Sequence, residues 1–200
     1  MLMKTINYFF IIMFTLLIIF SCTKEYDNGV KKNLQGNILN NTEKETHVVG
    51  EQFGGGIIFF VDQTGKHGLI AAGADPEEPT AWSFKDTLNG AKATAIGKGF
   101  TNTKKIFKTQ GVPLTEDNDY AAADCLIFQE NGYQDWYLPS KDELNELYKQ
   151  KNIVGGFNIY AYWSSSEANN SKAWMQNFGN GLQTMQIKTA FYSVRPIRRF

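Results

Sequence analysis

Disulfides contribute little or nothing to this chain, because its 200 residues include only two cysteines, Cys22 and Cys125. That number cannot supply the cross-linked framework of a small secreted scaffold, so stability must come from a packed core. Histidine is equally scarce. His47 and His67 stand alone and far apart in sequence, which removes the usual zinc spacings and leaves no imidazole beside a serine or cysteine to activate it. No G-x-S-x-G elbow is present. The glycines Gly54–Gly56 lack the following G-K-[S/T] of a phosphate loop and run into an apolar strand-like segment instead of a helix. Charge of one sign is also missing: 20 Lys and Arg balance 20 Asp and Glu, so nothing global argues for nucleic acid. Long apolar runs are absent except at the N-terminus, where Tyr8 to Phe20 are uninterrupted by charge.

That run is shorter than the roughly 20 residues a spanning helix needs, and it suits a signal-peptide core behind the positive Lys4. It ends in "IFSC", Ile19 to Cys22, which resembles the bacterial lipobox, although Phe20 is bulkier than the usual small residue. The expectation is a signal peptide over residues 1–21 and lipid on Cys22; the alternative is a plain secretory signal with an incidental cysteine. Residues 22–50 are rich in Asn, Lys and Glu and lack a sustained period, the composition of a tether. The domain is expected over residues 51–200.

Within the domain, aromatics make up a large share (14% of the whole chain), which favours β-structure. "FGGGIIFFVDQTGKHGLIAAG" reads as a hairpin, with strands Ile57 to Val61 and Leu69 to Ala72 about a turn of Asp62, Thr64, Gly65 and Gly68. Trp82 follows a proline-punctuated loop as a core anchor. Helices are expected over Thr103 to Gln110, capped by Thr101 or Asn102, and over Asn118 to Glu130. The second encloses Cys125 among Ala, Leu and Phe, a small buried hydrophobe more than a nucleophile. Strands follow: "AYWSSSE", a hairpin about Gly179-Asn180-Gly181, and a closing strand "FYSVRPIRRF" with Pro196 at an edge or bulge.

"DWYLPSKDELNELY", Asp135 to Tyr148, holds four carboxylates and looks at first like an acidic site. Ser140 and Glu143 have the spacing of a capping box, Pro139 blocks backward extension, and Asp142 and Glu143 complement the helix dipole. Leu144, Leu147 and Tyr148 make a buried stripe that leaves Glu146 to solvent. The helix carries no His, so it has neither a zinc spacing nor the Glu-x-x-His pair of a di-metal site. "SSSEANNS", Ser164 to Ser171, offers oxygen atoms to calcium or is a polar turn between strands.

Charge is segregated along the chain. Lys85 to Lys108 holds six Lys and one Asp, Thr109 to Leu147 nine acids and one Lys, and Ser171 to Phe200 five basic residues and no acid. If the two basic segments meet, they form a cationic face for sulfated or phosphorylated glycans, with Arg195, Arg198, Arg199, Lys104 and Lys105 as candidate ligand-binding residues. No catalytic residue, cofactor or metal ligand is expected.

The ordered segments "GGIIFFVDQTGKHGLIAA", "TAIGKGFTNTKKI", "DWYLPSKDELNELY", "YWSSSE", "AWMQNF" and "VRPIRRF" resemble the bacterial Lcl C-terminal domain family over about Phe53 to Phe200. The resemblance implies an α+β, C-type-lectin-like fold, with a twisted antiparallel sheet, two main helices and long loops. Members are mostly exported and often lipoproteins, and the adhesins among them bind sulfated polysaccharides. The sequence therefore reads as a lipid-anchored, non-catalytic binding module of a Gram-negative cell envelope, on the outer membrane or cell surface. Its expected partners are the membrane, through the anchor, and a glycan or polyanion, with a structural or protein-docking role as the alternative and nucleic acid excluded.

Overall fold

The computed structural model describes residues 46–76, 78–113 and 119–200, so the signal segment, Cys22 and most of the expected tether lie outside the described residues. The described part is a mixed α/β domain built from antiparallel sheets and few helices.

It begins with β1 (Gln52–Phe53), β2 (Gly56–Val61) and β3 (Gly68–Ala71). β1 and β2 turn on Gly54 and Gly55, whose φ values of 54° and 88° are readily adopted only without a Cβ. Both strands of the expected hairpin lie within one residue of their predicted ends. The last strand, β9 (Ile197–Arg199), pairs antiparallel with β3, giving the order β1-β2-β3-β9 and bringing both ends of the domain into one sheet. His47, placed in the tether by sequence, belongs to this unit. It is buried, its N–H donates to the Gly65 carbonyl at 2.8 Å, its Nδ1 lies 3.1 Å from Glu51, and its ring packs against Phe53 and Phe200. Packing therefore starts before Glu51.

After β4 (Thr80–Ala81) comes helix α1 (Gly99–Gln110), four residues ahead of its expected start. Neither Thr101 nor Asn102 caps it. Glu143, from a different helix, accepts from the N–H groups of Gly97 at 2.8 Å and Gly99 at 3.1 Å, so the helix start is satisfied from across the fold. Asn102 is consequently free to turn inward, where its amide donates to the Ala93 carbonyl at 2.6 Å. Gly111 terminates the helix with φ 82°.

Helix α2 (Ala121–Ile127) is shorter than the expected Asn118 to Glu130. Its far end is drawn off because Phe128 packs edge-on to Trp136 at 5.8 Å and Glu130 accepts from the Gly73 N–H at 2.9 Å. Asn131-Gly132, both at positive φ, then form a separate turn between Glu130 and Tyr133. Helix α3 (Lys141–Lys149) is the expected one, capping box included, with Leu144 and Leu147 fully buried; α4 (Lys151–Val154) follows directly.

β5 (Ala161–Glu167), β6 (Lys172–Asn177) and β7 (Gln183–Ile187) form a second antiparallel sheet in that order, while β8 (Phe191–Tyr192) pairs only with β4. The single twisted sheet of the sequence reading is thus three small ones. The expected closing strand is broken in two around Pro196, which has no N–H for a ladder. Every residue of β5 is buried, Ser164 to Glu167 included. Ser166 Oγ donates to the Ala93 carbonyl at 2.8 Å, and Glu167 accepts from the N–H groups of Asn89 and Gly90. The expected strand "AYWSSSE" is thus β5 residue for residue, its serine run fastens the irregular 89–95 segment, and only residues 168–171 of "SSSEANNS" form the connection to β6. Buried tryptophans close the core, with Trp82 Nε1 donating to the Ser164 carbonyl at 2.7 Å and Trp163 Nε1 to the Thr80 carbonyl at 3.0 Å.

Candidate functional site

The C-terminal segment, Ser193 to Phe200, carries three arginines that look alike in sequence and do three different things. Arg195 is fully buried. Its Nε donates to Asp75 Oδ1 at 2.5 Å, its terminal nitrogens reach the carbonyls of Ala72, Gly155 and Gly156, and its guanidinium lies 4.0 Å from the Phe157 ring centre. Asp75 also accepts from the Tyr162 hydroxyl; burial pushes its carboxyl up against the pull of Arg195 and Tyr162. Arg195 is a structural clamp with no face for a ligand, which withdraws it from the expected set.

Arg198 is half-engaged. It forms a fork on Asp135, Nε to Oδ1 at 2.7 Å and NH2 to Oδ2 at 3.0 Å, and also donates to the Gly54 carbonyl. Its hydrogen bond to Asp135 holds that carboxyl below the usual range. Tyr133 stacks on it at 4.0 Å. Its charge is spent on the first residue of the "DWYLPS" segment.

Arg199 is exposed and joins no ion pair among the described residues. Its guanidinium lies 4.9 Å from the Phe100 ring centre, and Lys104, also exposed and without an ion pair among the described residues, lies 4.6 Å from the same ring. The two basic segments do meet, at one aromatic side chain. Lys105, one residue along, turns to the Gly90 carbonyl at 3.0 Å.

Beside Arg199 opens a cleft of about 400 Å³, lined by the apolar Phe60, Leu69, Ile96 and Phe200 and by Arg199, His67 and Asp62. Asp62 accepts from Thr64 Oγ1 at 2.6 Å and from the Thr64 N–H, contacts that keep its carboxyl ionised below the usual range. An apolar floor with a guanidinium at the lip suits a ligand whose ring packs inward while its anionic group stays outside.

One further cation of the C-terminal basic segment is neutralised, while Lys92, Lys98, Lys108 and Lys172 stay exposed without an ion pair among the described residues. Lys188 is buried, 2.7 Å from Glu167 and 4.8 Å from the Trp82 ring centre. Burial would raise Glu167, but the bonds from Lys188 and Asn89 outweigh it and leave the carboxyl below its ordinary value. This pair has no local sequence signal, being separated by 21 positions.

Among the described residues, the perturbed groups include a carboxyl and a thiol side by side on α2. Burial, reinforced by Asp119, pushes Asp124 up to about 6, and burial pushes the Cys125 thiol well above its usual value. Cys125 is fully enclosed, and no imidazole partners it among the described residues. Among those residues, no group of three or more His, Cys, Asp and Glu side chains stands close enough to hold a metal ion, and no helix is long and apolar enough to cross a membrane.

Against known proteins, the Lcl C-terminal domain profile matches residues 75–198. The search of curated proteins returns no match. Among solved structures, a fimbrial protein from Bacteroides ovatus is similar with a TM-score of 0.43 and 15% identity, over 83% of this chain and 47% of that one. The chain thus spans about half the length of that solved protein.

Proposed function

The chain belongs to the Lcl C-terminal domain family, and on that premise we propose that it is a non-catalytic binding module of the cell envelope, held to the membrane by lipid on Cys22 and presenting a C-type-lectin-like domain. Its ligand is a sulfated or phosphorylated glycan, bound at the cleft between β3, β9 and the loop ahead of α1. The observation that carries this reading is exposed Arg199 at the edge of the apolar cleft, with exposed Lys104 against the same Phe100 ring that Arg199 meets. Planar guanidinium pairs bidentately with sulfate or phosphate, and Lys104, against the same Phe100 ring, adds a second cation nearby. Arg195 and Arg198 serve the fold on this reading, Arg195 by pinning the 72–75 and 155–157 segments and Arg198 by tying β9 to Asp135.

The anchor is supported by the apolar leader and the cysteine that ends it. Cys22→Ser is expected to abolish acyl labelling and release the protein from the membrane fraction; labelling that persists refutes the anchor. Ligand binding is tested by salt-dependent retention of the full chain on a heparin matrix, compared with the Lys104→Ala/Arg199→Ala double variant.

A further inference from the structure

A second cleft, about 550 Å³, lies on the sheet β5-β6-β7 where it meets β8. Its lining includes Tyr160, Phe191, Tyr192, Met175, Asn158 and Asn177. Two of these are large rings left open to solvent: Tyr160 is 69% exposed and Phe191 61%. An exposed ring of this size forgoes the stabilisation of burial, and two facing one groove mark a binding surface.

Both rings stand on fixed backbone. The Tyr160 N–H donates to Asn158 Oδ1 at 2.9 Å, and its carbonyl accepts from the Phe178 N–H at 3.0 Å. Phe191 is paired with Ala81 in the β4–β8 ladder and meets Phe84 edge-on at 6.3 Å. Between them Tyr192 is wedged against Trp163 at 4.8 Å. The polar groups are oriented too. Asn158 Nδ2 donates to Ser193 Oγ at 2.9 Å, while Asn177 Oδ1 accepts from the N–H groups of Gly179 and Asn180. With its oxygen engaged in that turn, Asn177 has its amide N–H pair left over, without a protein partner among the described residues.

The lining contains no acid, lysine, arginine or histidine, in contrast to the first cleft with its Arg199, Asp62 and His67. A charged ligand would find no counter-charge here, so the matching ligand is uncharged. Exposed aromatic faces, a spare amide donor and no charge suit a neutral sugar, whose C–H face packs on a ring while its hydroxyls accept from the amide. We propose that this groove is a second, charge-free glycan subsite, in which an uncharged pyranose stacks on Tyr160 or Phe191 and hydrogen-bonds Asn177. It extends the binding-module reading without depending on the Arg199 cleft.

The test titrates the detergent-solubilised full chain with neutral pentasaccharides of glucose, mannose, galactose and N-acetylglucosamine, followed by calorimetry in low and high salt. At least one is expected to bind with an affinity that salt leaves unchanged. Tyr160→Ala or Phe191→Ala should weaken it about tenfold, the equivalent of one lost ring contact, and Lys104→Ala/Arg199→Ala should not alter it. Because both rings are exposed, these variants should unfold at the wild-type midpoint. Failure of every sugar to bind at millimolar concentration overturns the proposal. So does binding that survives both ring substitutions, or occupation of the groove by an envelope protein with no sugar bound. Loss of heparin binding in the double variant would leave this result untouched, so the two sites can fail separately.

Discussion

At the scale of the residue, the arginines of the C-terminal segment show how context assigns a role to identical chemistry. Arg195 occupies a site from which water is excluded, and its neutralising carboxylate, Asp75, lies 120 positions away. Truncating one partner of such a pair leaves the other charged and buried. Arg195→Ala should therefore cost about 3–5 kcal/mol in urea unfolding, while Arg199→Ala should stay within about 0.5 kcal/mol. Equal losses from the two substitutions would show that the assignment of one to the fold and one to the ligand is mistaken. None of this was legible in "SVRPIRR": alternation hints at facing, but the acids that claim Arg195 and Arg198 come from distant segments. The exposed cations Lys104 and Arg199 were legible as charges, and only their meeting on Phe100 needed the fold.

Helices and strands were read best where their signals are local. The α3 capping box and its apolar stripe follow from residues within nine positions, and the structure has both. The start of α1 was misplaced because its cap is not local: Glu143 closes the α3 box through the Ser140 N–H at 2.7 Å and also takes the N–H groups of Gly97 and Gly99. Burial pushes this carboxyl up despite those three donors. Such a group holds two helix starts together, so Glu143→Ala should destabilise by about 2–3 kcal/mol. Glu146→Ala, which removes only a surface contact to Lys149, should cost no more than about 0.5 kcal/mol. Chemical denaturation of the two variants side by side checks this, and similar midpoints would refute the two-helix role. The serine strand β5 is the reverse case. Its span was foretold as "AYWSSSE", but its pairing with β6 and the 89–95 segment, which makes the polar positions buried fastenings, has no local signal.

For the whole molecule, the α+β class was implied by the family resemblance, which is borne out by the profile match. The partition into three sheets was hidden, since it depends on Pro196 and on which strands find each other across long intervals. With a single buried thiol among the described residues, the domain relies on tryptophan-centred packing and on buried ion pairs rather than disulfides. The same economy explains why the apparent cationic face shrinks. Acids from elsewhere in the chain claim Arg195, Arg198 and Lys188, and of the three C-terminal arginines only Arg199, at the edge of a cleft, stays without an ion pair among the described residues. Opposed charges in solvent attract over roughly 8–10 Å at ordinary ionic strength and are screened beyond it. The most direct measurement is therefore the affinity of the full chain for heparin as a function of salt, in the wild type and in Lys104→Ala/Arg199→Ala. The account predicts binding that weakens steadily with salt and falls about tenfold or more at low salt in the double variant, with unfolding midpoints unchanged. Wild-type retention that ignores salt, or a double variant that binds as the wild type does, would contradict it.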